Sequence, residues 1–182
     1  MRLDAVRHLA DVVRALARPE RIVVMGSASL FAAFPGLDQA DGPLANTYDA
    51  DFLFFPWEES TGRMLNDAVG KDEEFHAANG YYADILRPLV AEDFTPGWED
   101  RLVPMPGFAD TVYCLDPYDM AVCKLRAGRP KDIHLLAWLL REGLLEAKAM
   151  KQRLDATPMG EAVIVRTYAC FRTVQDEAKS SR

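Results

Sequence analysis

Two aspartates one residue apart, Asp49 and Asp51 in Thr47-Tyr-Asp-Ala-Asp-Phe-Leu-Phe-Phe55, have the spacing best suited to chemistry in this chain. The apolar run that follows them reads as a strand. Alternate strand residues face the same way, so the two carboxylates share a face with Cα atoms about 6.6 Å apart. Upstream, Arg21-Ile-Val-Val-Met-Gly-Ser-Ala-Ser29 reads as a buried strand that runs into Gly26-Ser27 and then a helix. Gly26 permits a tight turn, Ser27 suits a helix N-cap, and a helix N-terminus attracts phosphate. Paired carboxylates beside such a turn would grip a metal–triphosphate. A plainer reading stands beside it: an ordinary turn with a cap, and polar residues at a strand start.

Composition narrows the classes open to these residues. The chain has 182 residues, 49% of them hydrophobic and 27% charged, which suits one compact domain and excludes disordered and fibrous classes. The net charge of −7 disfavours a broad nucleic-acid face. No apolar run reaches membrane-spanning length, and the first residues form an amphipathic pattern instead of a leader, so a cytoplasmic protein is expected. Cys114, Cys123 and Cys170 are unevenly spaced and contain no CxxC pair, which argues against a disulfide framework or a zinc site.

The elements that must position the acids follow from periodicity. Leu3, Val6, Leu9, Ala10, Val13 and Leu16 mark a helical face that Arg18-Pro19 ends. Strands are expected at Ile22–Met25 and Phe52–Phe55, around Tyr81–Leu86, and at Trp98–Pro104 and Thr111–Leu115. A short helix is expected over Ala28–Phe34 and another after Ser60. Leu37–Asn46 reads as a loop and Gly70–Glu74 as a charged turn. Beyond Cys114 the pattern becomes helical. Asp116-Pro117-Tyr118-Asp119 is a strong helix start, Gly128 and Gly143 are stops, and further helices span Leu144–Leu154 and Met159 to about Glu177. The expectation is an α+β protein, with a mixed α/β core over residues 1–115 and a helical region over residues 116–182.

Gly26-Ser27 followed by Asp49-x-Asp51 on the next strand resembles the nucleotidyltransferase superfamily, the polymerase-β-like fold. The run Asp116-Pro-Tyr-Asp-Met-Ala-Val-Cys-Lys-Leu-Arg-Ala-Gly-Arg-Pro-Lys-Asp132 is similar to a second signature. It is found in an uncharacterised bacterial branch related to toxin-type and antitoxin-type nucleotidyltransferases. The resemblance covers about residues 5 to 145, with Leu37–Asn46 standing as an insertion. It implies a mixed sheet flanked by helices and transfer of a nucleoside monophosphate from an NTP to a hydroxyl on RNA, protein or a small molecule. Asp49 and Asp51 would hold two Mg²⁺ ions, with Asp84 as the third carboxylate. Gly26 and Ser27 would hold the phosphates, and Lys124, Arg129 and Lys131 would neutralise them. The resemblance also implies an alternative, a partner protein of a toxin–antitoxin or defence pair with little or no catalysis.

The other candidates have structural readings. Asp116 and Asp119 are expected to cap a helix, and Asp132 to sit in a first turn where the helix dipole favours an acid. Lys124, Arg126, Arg129 and Lys131 would serve equally as a solvated basic edge, and Asp84 as a strand-end acid facing solvent. His8, His76 and His134 lack partners at metal or triad spacing. Trp57, Trp98 and Trp138 read as packing residues. No GxxxxGK, GxGxxG or HExxH is present.

Overall fold

The computed structural model describes residues 1–38, 44, 47–108 and 110–180. Most of the expected Leu37–Asn46 loop, and Ser181-Arg182 of the polar tail, lie outside these residues. Helix α1 (Leu3–Ala17) buries Leu3, Val6, Leu9, Ala10 and Val13 and stops where Arg18 turns left-handed. Strands β1 (Arg21–Met25), β2 (Asp49–Phe55), β3 (Tyr82–Ile85), β4 (Val103–Pro104) and β5 (Val112–Cys114) form one sheet in the order β3-β2-β1-β5-β4. β1 runs antiparallel to β2 and parallel to β5, and β2 runs parallel to β3. The central strands carry Ile22, Val23, Val24, Phe52, Leu53 and Phe54, all fully buried, as continuous apolar runs require.

Helices α2 (Leu30–Ala33), α3 (Glu59–Val69) and α4 (Glu74–Asn79) lie between the strands. Helices α5 (Pro117–Ala127), α6 (Pro130–Arg141), α7 (Ala147–Asp155) and α8 (Glu161–Ser180) follow β5. The fold is α+β, a five-stranded mixed sheet flanked by helices with a helical C-terminal half. Glycines in the left-handed region end both α4, at Gly80, and α5, at Gly128. No helix among the described residues is long and apolar enough to cross a membrane.

Four local expectations change. The segment expected as a helix over Ala28–Phe34 is a 3-10 turn over Gly26–Ser29 followed by the four-residue α2. Ser27 makes no capping hydrogen bond there; instead Ser29 Oγ donates to the Gly26 carbonyl at 2.9 Å, tightening the turn. The expected strand Trp98–Pro104 is a 3-10 turn over Trp98–Arg101 before two strand residues, because Gly97 bends the chain and Arg101 is drawn inward by Asp119. The charged stretch after Gly70 continues into α4, whose Phe75 packs against Tyr81 and His8. α7 starts at Ala147, after Leu145 turns into the core.

Candidate functional site

Strand pairing assembles the acids. Asp49 and Asp51 stand on one face of β2 with buried Ala50 between them, and β3 sets Asp84 directly opposite Asp51 and Tyr82 opposite Asp49. Among the described residues, no hydrogen bond or ion pair engages the carboxylates of Asp49, Asp51 or Asp84. Burial, with the charges of Asp49 and Asp84 added, raises the Asp51 pKa from 3.8 to about 6, although Lys124 and Arg129 pull it down. Asp84 is raised as well, by burial first and then by Asp49. Three acids left without partners in a row are an electrostatic fault that a cation would relieve.

β1 delivers the turn to the same place. Met25 is the register partner of Asp51, so Gly26 follows directly beside that carboxylate. Gly26 has φ +59°, and a Cβ added there would lie 2.2 Å from Asp51 Oδ2. Glycine is required twice, for the left-handed backbone and for the space the carboxylate fills. Gly26, Ser27, Thr47, Asp49 and Asp51 form one wall of a cleft of about 530 Å³. Asp84 is not among the lining residues and stands behind Asp51 on the outer strand.

The opposite wall comes from the corner between α5 and α6, where Lys124, Arg129 and Lys131 line the cleft. Gly128, at φ +62°, turns the chain between the two helices, and Arg129 follows it directly. Asp132 receives Lys124 Nζ on Oδ1 at 2.9 Å and Arg129 Nε on Oδ2 at 2.6 Å. The side chains of Lys124 and Asp132 are 8% and 1% exposed, so Lys124 departs from the expected solvated edge, whereas Arg129, 57% exposed, and the exposed Lys131 keep to it. Asp132 also exceeds its expected role as a helix-dipole acid, because its carboxylate is a buried bridge. Burial works to raise its pKa, but the Arg129 and Lys124 contacts outweigh burial and hold it below the usual carboxylate range. The sequence signal for this bridge was available: an acid three residues after Arg129, across a Gly-Arg-Pro corner from Lys124. Arg126 leaves the site and pairs with Asp93.

Other candidates resolve into packing and pairing. Asp116 caps α5 by accepting from the backbone N–H groups of Tyr118 and Asp119. Asp119 is not a cap. It is a fully buried acceptor for Arg101, through Nε at 2.9 Å and Nη2 at 3.0 Å, and it also pairs with Arg153 at 2.6 Å. His8 shares a hydrogen bond with Tyr81, His76 stacks on Tyr82, and His134, on the cleft rim, pairs with Glu177. Trp57 packs on Phe54 and Trp98 on Phe94. Cys123 lines the cleft, but burial pushes its thiol up to about 12, which keeps it protonated and unreactive. Thr47, Leu86, Val90 and Met120 also line the cleft, and nothing in their local sequence distinguishes them.

The cleft therefore sets an acidic wall, with a tight glycine turn at its foot, against a basic wall. Carboxylate oxygens are the donors that a hard divalent cation such as Mg²⁺ prefers. Among the described residues, no group of three or more His, Cys, Asp or Glu is gathered closely enough to hold a metal ion unaided. No curated protein and no solved structure matches the chain. A family model matches residues 1–161, and the chain belongs to that family, described as "Nucleotidyltransferase of unknown function (DUF6036)".

Proposed function

We propose that this nucleotidyltransferase moves a nucleoside monophosphate from an Mg-NTP to a hydroxyl acceptor on RNA, protein or a small molecule. The observation that carries the reading is one cleft lined together by Asp49, Asp51, the Gly26–Ser27 turn, Lys124, Arg129 and Lys131. Asp49 and Asp51 would hold the metal, with Asp84 beside Asp51 extending the acid edge. Bound Mg²⁺ would stabilise the attacking and leaving oxygens of an in-line displacement. Backbone N–H groups of the Gly26–Ser27 turn and the Ser27 hydroxyl would orient the phosphates. Lys124, Arg129 and Lys131 would take up the charge of the leaving pyrophosphate. In the transfer, the acceptor hydroxyl releases its proton to water as its oxygen bonds to the α-phosphorus, the bond from that phosphorus to the oxygen bridging to the β-phosphate breaks, and pyrophosphate departs.

Isothermal titration with each of the four Mg-NTPs tests this. At least one should bind, and Asp51→Ala should weaken that binding by about tenfold or more, the worth of a lost charge-assisted contact. A wild-type protein that binds none of the four would overturn the reading. It would point instead to a nucleotidyltransferase fold used as a partner protein in a toxin–antitoxin or defence pair.

A further inference from the structure

Asp132 lines the same cleft as the three basic residues, yet its side chain is only 1% exposed. Its carboxylate is buried, and its two oxygens are shared between cations from different elements: Lys124 from the last turn of α5 and Arg129 from the residue that precedes α6. Both cations also line the cleft and act on Asp51 across it. Lys124 is itself buried, so without a counter-charge its ammonium would be left unpaired away from water, which is strongly destabilising, or would turn toward solvent. Arg129 is the opposite case, more than half exposed, and free to swing away from the cleft but for its contacts to Asp132. One carboxylate thus pairs a buried cation and orders an exposed one. The trio retains one positive charge, so the wall still attracts an anion.

We propose that Asp132 is the positioning residue of a cationic phosphate clamp, holding Lys124 and Arg129 toward Asp49 and Asp51 so that they meet a polyphosphate chain between them. The inference rests on the nucleotidyltransferase reading and adds to it the residue that organises the phosphate side. The plainer role for Asp132 is a staple joining α5 to α6, with no bearing on the ligand.

The test is a double-mutant cycle read with inorganic tripolyphosphate and Mg²⁺, a probe that leaves out base preference. Arg129→Gln should weaken tripolyphosphate binding about tenfold in the wild-type background, as loss of a charged hydrogen-bonding partner does. In the Asp132→Asn background the same change should cost less than about twofold, because Arg129 is no longer held there. A staple gives the opposite result, in which Arg129→Gln costs the same factor in both backgrounds, and that result overturns the proposal. If Asp132→Asn fails to fold because Lys124 is left unpaired, the cycle is run in a Lys124→Met background, where no lone ammonium is buried. The same non-additivity is expected there, and additivity again overturns the proposal. Wild-type protein that binds neither Mg-NTP nor tripolyphosphate would overturn the functional reading and this inference together. Wild-type binding with an additive cycle would overturn this inference alone.

Discussion

At the scale of single residues, the acid edge trades stability for its charge. The Asp51 pKa is raised to about 6 in the fold against 3.8 outside it, so the folded state holds the proton more tightly. The stabilising effect is fully present below about pH 4, is lost as pH rises through 6, and amounts to about 2–3 kcal/mol. Asp51→Asn should therefore raise the melting temperature of the metal-free protein at pH 8 and leave it nearly unchanged at pH 4. An equal shift at both pH values would show that burial of the charge is not the cause. The neighbouring glycine yields a second expectation. Gly26→Ala puts a methyl where Asp51 Oδ2 lies and forces a left-handed alanine, a backbone penalty of about 1–2 kcal/mol before the carboxylate is displaced. Urea denaturation should show at least that loss, and Mg-NTP heats should fall with it. A fully stable, fully binding Gly26→Ala protein would contradict the packing of the turn.

At the scale of elements, α5 connects the two halves of the molecule. Its N-terminal turn is held by Asp116 and Asp119, its last turn carries Lys124, and its C-cap glycine leads straight into Arg129. Asp119 joins three separate segments, because Arg101 also donates to the carbonyls of Thr95 and Pro96, and Arg153 comes from α7. Removing one side of a buried ion pair leaves charges uncompensated, which costs about 3–5 kcal/mol. Asp119→Ala should lower the unfolding free energy measured by urea denaturation by that amount, with little change in slope. A loss below about 1 kcal/mol would mean that the arginines find water or new partners.

At the scale of the whole molecule, the C-terminal helix belongs to the body of the fold. α8 packs on α5 and α6 and buries Thr167, Phe171 and Val174, although the family match ends at residue 161 where α8 begins. Phe171→Ala should cost about 3–5 kcal/mol through the cavity it leaves. Val165→Ala, at a residue 65% exposed on the same helix, should stay within about 0.5 kcal/mol. Circular dichroism and tryptophan fluorescence should follow a single transition in both variants. A separate early transition for Phe171→Ala would show that α8 melts on its own.

Local rules made part of this protein legible from its sequence. Strand alternation puts Asp49 and Asp51 on one face whatever the strand pairs with, and Gly26 marks a tight turn after β1, although the requirement for glycine there comes from its contact with Asp51. An acid cap followed by proline at the first helical position marks the start of α5 without reference to its neighbours. The switch from strand patterns to helical periods after Cys114 likewise gave the α+β class. The tertiary structure decided what depends on distant partners. Asp84 meets Asp51 only because β3 pairs in parallel with β2 after two intervening helices. Asp119 reads as a cap until Arg101 and Arg153 reach it, and Asp132 reads as a helix-dipole acid until the α5–α6 corner buries it between two cations. Spacing along a chain sets which way a side chain points, whereas burial and charge partners depend on which remote segments pack beside it, and the roles of Asp84, Asp119 and Asp132 turn on the second of these.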